Sequence, residues 1–198
     1  MTDLALFAFF ALMLAMGFRR PFIWLMAYIY VDILSPHKMS WGIMAALPVS
    51  LIAFVFAFGG WLLMERKDGT RIHIRQALMI VFLAYCGLTT LAAAFPEAAL
   101  SKWAWVWKSL VFAIFMPLTI RTRLRIEAAL LVMLLSAGAI IISAGIKAVA
   151  SGGGGYGVLQ SFVADNSGLY EGSTLSMVAV AIIPLIVWMG RHGTIFPP

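Results

Sequence analysis

The chain has 198 residues, of which 63% are hydrophobic and 11% charged, and its formal net charge is +6. Soluble domains are roughly 45–50% apolar and about 25% charged, so this composition excludes an ordinary cytosolic domain and a disordered chain. The single cysteine excludes an intramolecular disulfide framework and a cysteine-based zinc site.

Seven hydrophobic segments follow one another along the chain and predict an all-α, polytopic transmembrane helix bundle. A helix needs about 20 apolar residues to cross the bilayer core, and the fourth to sixth segments are long enough to do so. The segments are residues 4–18, 22–34, 49–64, 77–95, 103–120, 128–150 and 175–189. The first has Asp3 before it and Arg19-Arg20 after it, which favours an uncleaved span over a signal peptide.

The second segment is short, since its 13 residues extend roughly 20 Å as a helix. Two continuations are open: a kinked helix through Pro36, or re-entry into the membrane before residues 41–47.

Two glycine pairs have structural interpretations. Gly59-Gly60 allows a close approach or a kink in the third segment. Gly138 and Gly145, with Ser136 and Ser143 nearby, predict a small-residue packing face in the sixth.

If successive segments cross the membrane in alternating directions, lysine and arginine lie mainly in the loops on one side of it. This asymmetry predicts the orientation of the bundle. Loops after the first, third, fifth and seventh segments hold ten of them, and the other side holds four. The ten are Arg19, Arg20, Arg66, Lys67, Arg71, Arg75, Arg121, Arg123, Arg125 and Arg191, and the four are Lys38, Lys102, Lys108 and Lys147. Cytoplasmic loops keep positive charge, so we expect the N-terminus to face outward. The same distribution explains the net charge without a nucleic-acid partner.

Three segments then face outward, residues 35–48, 96–102 and 151–174. In the first, His37 and Lys38 offer two donors for an anion, although a lone loop histidine is also commonly a surface or capping residue. Asp32, just before them, is expected to form a structural salt bridge with Lys38 or with a cation on another span.

The second outward segment carries Glu97 and Lys102 and leads to Lys108. If the span begins at Trp103, Lys108 lies about 7 Å below the membrane surface. A cation there is costly unless it snorkels or faces a polar cavity, and both alternatives are open. In the polar setting, an anionic lipid pyrophosphate is the natural partner.

The third outward segment opens with four glycines at 152–155 and continues to Asp165-Asn166. The glycines predict either a flexible connector or a close approach to a bulky substrate, and no Gly-Lys-Ser/Thr follows to make a phosphate loop. The Asp-Asn pair predicts a turn or helix cap, with sugar or phosphate contact as the alternative. The chain shows no nucleophile–base pair, metal-ligand cluster or dinucleotide fingerprint, so we expect no metal or cofactor.

An ordered set of motifs resembles one known family over essentially the whole chain. The motifs are Arg19-Arg20-Pro21-Phe22, Ser35-Pro36-His37-Lys38 with Trp41-Gly42, Phe95-Pro96-Glu97-Ala98, Lys102-Trp103, Lys108 and Phe162-Val163-Ala164-Asp165-Asn166. They resemble the N-terminal region of the O-glycosylation ligases associated with the exosortase A system of Gram-negative bacteria, within the O-antigen ligase and polymerase superfamily. The segment from Ser167 to Glu171 departs from the pattern, because many members run directly from Asp-Asn into a helix.

The resemblance implies a multi-pass inner-membrane protein that works on the periplasmic side. Such ligases transfer a glycan from undecaprenyl pyrophosphate to an acceptor protein or glycan. It also implies that residues 1–198 form a single membrane domain, the N-terminal part of a longer protein whose catalytic half lies further along. Lys102 and Lys108 are then candidates for phosphate contact, and the other site candidates are His37, Lys38, Glu97, Asp165 and Asn166. No catalytic base is assigned.

Two other functions are compatible with the sequence. One is a transporter or flippase for a lipid-linked or small solute, and the other is a non-catalytic scaffold of an envelope polysaccharide pathway. A ligase predicts polar residues near the periplasmic surface, a transporter predicts them at mid-membrane, and a scaffold predicts no cavity.

Overall fold

The computed structural model of the chain describes residues 2–40, 42–65, 67, 72–150 and 168–194. All regular elements within these ranges are helical, which confirms the all-α prediction. They are α1 Thr2–Gly17, α2 Phe22–Leu34, α3 Pro36–Met39, α4 Ile43–Ala46, α5 Val49–Leu63, α6 Ile74–Leu91, α7 Pro96–Thr119, α8 Arg123–Ala150, a 3₁₀ turn Gly168–Tyr170 and α9 Gly172–His192.

Within the residues that the structure describes, three helices are long and apolar enough to cross a membrane, namely α6, α8 and α9. By this measure the chain is a membrane protein. The fourth and sixth segments therefore meet the expectation. The fifth does not: α7 has 24 residues, but Lys102, Lys108 and the tryptophans lower its mean hydropathy. The seventh, in contrast, extends to 21 residues in α9.

The short second segment forms α2 with the predicted bounds and stops at Leu34. Ser35 adopts the left-handed conformation with φ 45° and ψ 57°, and Pro36 begins α3. A residue before proline is disfavoured in the helical region, and Pro36 has no N–H to continue the helix. The backbone thus leaves the helix at Ser35, and the predicted kinked continuation through Pro36 is wrong.

Helix α2 lies at the centre and packs against α1, α5 and α8. Its Trp24, Tyr28 and Val31 are buried. Aromatic rings fill the space towards α5 and α7, with the Tyr28 and Phe112 ring centroids 4.5 Å apart. Such pairs stabilise beyond simple area burial, so this aromatic packing joins α2, α5 and α7 into one core.

Glycines on two helices make room for the Trp24 indole. A Cβ atom at Gly17 or Gly60 would overlap the ring, and Trp24 Nε1 donates a hydrogen bond to the Leu14 carbonyl at 2.8 Å. Helix α5 runs without a break through Gly59 and Gly60. Of the two interpretations offered for this pair, the structure therefore shows the close approach.

Gly138 and Gly145 do not form the predicted packing face with the described helices. Nothing lies within 4 Å of a Cβ atom placed at either glycine. Of the predicted small residues, Ser136 is buried, and the other small residues that α8 buries are Ala129, Ala137 and Ala144. The side of α8 that meets the core therefore carries alanines and a serine rather than the two glycines.

Contacts between helix ends define two ends of the bundle. The connector end comprises Asp3, residues 32–40 and 42–50, and the turn Gly168–Tyr170. There the Asp3 carboxylate accepts hydrogen bonds from the Ser40 hydroxyl and from the amides of Ile43 and Met44 at 3.1 and 3.4 Å. Asp3 therefore caps α4, since a carboxylate satisfies amides that have no partner inside the helix.

The opposite, arginine end comprises residues 19–22, 60–65, 67, 117–127 and 189–194. There the Arg125 guanidinium pairs with Glu65 and stacks over the Phe22 ring, 5.1 Å from its centroid. The buried Glu127 carboxylate pairs with Arg123 at 2.7 Å and accepts hydrogen bonds from the Thr194 amide and hydroxyl, each at 2.7 Å. The arginines predicted as topology determinants thus also join α2, α5, α8 and α9. Arg66 and Arg71 lie outside the described residues.

Tyr170 ties the start of α9 to the end of α2. Its buried hydroxyl donates to the Leu34 carbonyl, and Leu34, Ile140 and Leu175 surround it in a small apolar cluster. Burial, together with the nearby Tyr30, raises the pKa of Tyr170 to about 12. The hydroxyl therefore remains a donor at neutral pH.

We expect Tyr170→Phe to lower the free energy of unfolding by about 1–3 kcal/mol, because the buried Leu34 carbonyl loses its donor. Chemical denaturation in detergent, followed by circular dichroism, measures this loss. Tyr85→Phe is the matched control, since Tyr85 is 62% exposed, and it should leave stability unchanged. Equal stability of the two variants would contradict the anchoring role.

Candidate functional site

Three of the predicted site residues come together at the connector end. His37 and Lys38 lie in α3, which the turn at Ser35 directs away from the axis of α2. Lys108 comes from α7, and its Nζ donates to the Ser50 hydroxyl in the first turn of α5, at 3.5 Å. All three are partly buried, and we call His37, Lys38 and Lys108 the cation cluster.

The position of Lys108 differs from the sequence estimate. Helix α7 begins at Pro96 rather than at Trp103, so Lys108 lies about 18 Å along the helix from its first residue. Its contact, however, is Ser50, the second residue of α5. Lys108 therefore lies level with the end of a neighbouring helix and meets a polar group there, which favours the polar-setting alternative over simple snorkelling.

Asp32 faces the same region from the last turn of α2, within electrostatic range of Lys108. Among the described side chains, none forms an ion pair with its carboxylate, so the expected structural salt bridge is not seen there. The Asp32 carboxylate nevertheless interacts electrostatically with Lys108, so the cluster has one carboxylate in its surroundings besides its three basic side chains.

His37 is the most unusual member, because its Nδ1 atom is buried without a hydrogen-bond partner in the part of the chain that the structure describes. Burial first, and then the positive charges of Lys38 and Lys108, lower the pKa of the His37 imidazole below its usual 6.5. Both effects disfavour the charged form. The imidazole is therefore neutral at pH 7, and the two lysines supply the positive charge of the cluster.

This lowered pKa predicts a pH-dependent stability. Below about 6.5 the unfolded chain protonates His37 more readily than the folded chain does, so stability should fall as the pH drops from 6.5 towards the folded-state value. His37→Gln should remove this part of the dependence, whereas His73→Gln should keep it. Thermal melts in detergent between pH 5 and 8 measure the effect; identical profiles for wild type and His37→Gln would refute the assignment.

The other predicted residues are not brought to the cluster. Glu97 and Lys102 are exposed in the first two turns of α7, about 16 and 9 Å along the helix from Lys108. Glu97 instead lies where the helix dipole favours a carboxylate. Asp165, Asn166 and the four glycines at 152–155 lie outside the described residues.

Two residues near the cation cluster were not identified from the sequence, Ser50 and Tyr28. Ser50 lies within an apolar segment, where a serine carries no periodic or motif signal, and only the fold brings it to Lys108. Tyr28 lies one helical turn before Asp32, and its buried hydroxyl is near Ser109 of α7 but outside hydrogen-bonding geometry. Within the described ranges, no group of three or more His, Cys, Asp or Glu side chains could hold a metal ion.

Fold and site define an all-helical membrane protein with a partly buried cation cluster at one end of its bundle. The chain belongs to a protein family of unknown function (DUF5935), whose sequence pattern matches residues 1–194. No curated protein and no solved structure matches the chain.

Proposed function

We propose that the chain is the membrane domain of an O-antigen-ligase-like enzyme of the bacterial inner membrane. The enzyme transfers a glycan from undecaprenyl pyrophosphate to an acceptor protein or glycan at the periplasmic face. In this proposal the seven hydrophobic segments span the bilayer, and the N-terminus and the connector end face outward. The observation that carries the proposal is the cation cluster of His37, Lys38 and Lys108.

The chemistry of the reaction explains why such a cluster is useful. A base takes the proton of the acceptor hydroxyl as its oxygen attacks the anomeric carbon of the sugar. The bond to the pyrophosphate oxygen breaks, and the electron pair leaves with the pyrophosphate. Cations placed where this negative charge develops stabilise the transition state. Lys108, held by Ser50 in a partly buried setting, is suited to this role, because its charge is less screened there than in water.

An apolar groove beside the cluster supports a lipid-linked substrate. It has a volume of about 190 Å³ and lies between α1, α2 and α8, where Phe9, Met13, Tyr30, Leu34 and Leu135 line it. Its Leu34 end is in the last turn of α2, next to the turn that leads to His37. A prenyl chain in the groove would therefore place its pyrophosphate near the cluster.

The distribution of charge supports the orientation. The loops on the side of the arginine end hold ten of the fourteen lysines and arginines of the sequence, whereas the side of the connector end holds four. Positive charge concentrates on cytoplasmic loops, which supports a periplasmic connector end. The position of the cluster at helix ends, rather than halfway along α2 and α5, favours transfer at a membrane surface over transport through mid-membrane.

Deletion of the intact gene in the bacterium that carries it tests the proposal. We expect the acceptor to lose its glycan while the undecaprenyl-pyrophosphate-linked glycan accumulates in the periplasmic leaflet. Accumulation in the cytoplasmic leaflet instead would indicate a flippase. A purified, reconstituted protein that transfers no glycan from added lipid-linked donor, although the deletion abolishes glycosylation, would indicate a scaffold. Either result would overturn the ligase proposal.

A further inference from the structure

Three aromatic side chains from three helices form one layer of the core. The Tyr28 ring of α2 contacts Phe54 of α5 and Phe112 of α7, with ring centroids 5.7 and 4.5 Å away. These contacts place the three residues at the same height in the bundle. Helix α2 runs from the arginine end to the connector end, whereas α5 and α7 run towards the arginine end. The directions of the helices therefore determine which residues lie one turn nearer to the connector end.

The residues at that next level are all polar. Four positions from the aromatic residues lie Asp32 on α2, Ser50 on α5 and Lys108 on α7. Four residues of helix rise about 6 Å and return to the same face. The hydrogen bond of 3.5 Å between Lys108 Nζ and Ser50 Oγ agrees with this common level, and so does the electrostatic interaction of Asp32 with Lys108. We call Asp32, Ser50 and Lys108 the polar layer.

Asp32 is the carboxylate of the polar layer, and it is available for chemistry. Its side chain is exposed and forms neither an ion pair nor a hydrogen bond with the described groups. The other carboxylates that the structure describes are engaged or distant. Asp3 caps α4, Glu65 and Glu127 pair with arginines at the opposite end, Glu171 accepts from two hydroxyls, and Glu97 lies about 16 Å along α7 from Lys108.

The Tyr28 hydroxyl lies one turn below Asp32 on the same face of α2. Tyr28 is 1% exposed, and its hydroxyl is buried without a hydrogen-bond partner among the described residues. It also interacts electrostatically with Asp32. A buried hydroxyl without a partner destabilises the folded protein, so stability does not explain its presence. Hydrogen bonds that orient a catalytic group are often poorly aligned until the substrate binds, and Tyr28 is placed to donate to Asp32 at that stage.

We infer, on the basis of the proposed function, that Asp32 is the base of the transfer reaction and that Tyr28 positions its carboxylate. An Asp32 carboxylate oxygen takes the proton of the acceptor hydroxyl as the hydroxyl oxygen bonds to the anomeric carbon. The bond from that carbon to the pyrophosphate oxygen breaks, and its electron pair leaves with the pyrophosphate beside Lys108. The proton then passes from Asp32 to water. His37 is less suited, because a proton on its imidazole adds a third positive charge beside Lys38 and Lys108.

Steady-state kinetics of the intact, reconstituted protein test this inference. The donor lipid and the unglycosylated acceptor are prepared from the gene-deletion strain. Asp32→Asn should lower kcat roughly 10²- to 10⁴-fold, the usual contribution of a general base, and should leave KM nearly unchanged. Formate should restore part of the kcat of Asp32→Ala, because it supplies a carboxylate in the vacated space. The control Glu97→Ala removes an exposed carboxylate outside the polar layer; it should keep the wild-type kcat and should not respond to formate.

The outcomes separate this inference from the proposed function. A wild-type protein that transfers nothing would refute the proposed function and, with it, the role of Asp32. If the wild type is active, a wild-type kcat in Asp32→Asn would overturn the inference alone, and so would a loss confined to KM. Restoration of His37→Ala by imidazole, together with failure of formate on Asp32→Ala, would identify His37 as the base instead.

Tyr28→Phe tests the positioning role. It should lower kcat severalfold without lowering the free energy of unfolding, because the hydroxyl that it removes has no partner among the described residues. A structural role predicts the opposite result, a loss of stability with a wild-type kcat. That result would overturn the role of Tyr28, and so would an unchanged kcat with unchanged stability.

Discussion

Replacing Lys108 with methionine in the intact protein should lower glycan transfer roughly 10- to 100-fold, the effect of losing one charge-assisted hydrogen bond to a reacting anion. Methionine keeps the length and the apolar stem of lysine, so the change removes mainly the charge. Lys108 is the member of the cation cluster that both contacts Ser50 and lies within electrostatic range of His37 and Asp32. The measurement is glycan transferred per unit of membrane-inserted protein, in cells that lack the wild-type gene.

Lys102→Met is the matched control for this variant, because it removes a lysine from the same helix. Lys102 is exposed and lies about 9 Å along the helix from Lys108. We expect Lys102→Met to retain activity within about twofold of wild type. Unchanged transfer in Lys108→Met, with normal insertion, would remove the cation cluster from the proposed mechanism, and an equal loss in both variants would show that position in the cluster is irrelevant.

Gly60→Leu should lower the free energy of unfolding by about 3 kcal/mol or more, at the upper end of what overpacking usually costs. The Trp24 ring occupies the space that any side chain at Gly60 would need. The ring cannot move aside easily, because Gly17 closes its other side and Leu14 holds its Nε1 atom. Reversible unfolding in detergent, followed by tryptophan fluorescence and circular dichroism, measures the loss.

The neighbouring glycine supplies the control, because a Cβ atom at Gly59 meets nothing within 4 Å. Gly59→Leu has the same composition and the same helix propensity change, and it should leave stability unchanged or slightly higher, since glycine disfavours helix by about 1 kcal/mol. If both variants lose the same stability, helix geometry rather than contact with Trp24 determines the cost, and the packing described for α2 and α5 is wrong.

Local patterns predicted the helices well. The second segment, 22–34, matches α2 at both ends, because a proline precedes it and a proline follows one residue beyond its end. The fifth was placed too late, at 103 rather than Pro96. The predicted segment began only after Lys102, although Pro96 at the first position and Glu97 in the first turn favour a helix start there.

The site was predictable only as separate residues. His37, Lys38 and Lys108 were each recognisable as polar groups near apolar segments. However, Lys38 and Lys108 are 70 positions apart in the sequence, and no local sequence pattern predicts that they meet. Their meeting depends on the packing of α5 against both α2 and α7. Ser50 was missed for the same reason, since the fold alone brings its partner Lys108 to it.

The glycine pairs show which part of helix packing the sequence predicts and which part depends on the fold. Gly60 and Gly138 both lie in apolar segments and both predicted close packing. Only Gly60 faces another described helix, because the indole of Trp24 projects towards α5. Composition identifies where a close approach is possible, whereas the rotation of each helix, set by the whole core, decides where it occurs.

Site-directed labelling of cysteines tests the orientation of the bundle most directly. Cys86 is the one cysteine in the sequence, so Cys86→Ala provides a background for two exposed positions, Ser101→Cys near the start of α7 and Lys67→Cys at the arginine end. In spheroplasts, a membrane-impermeant maleimide should label Ser101→Cys at once and should label Lys67→Cys only after the membrane is opened. The reverse pattern would place the cation cluster in the cytosol and contradict glycan transfer at the periplasmic face.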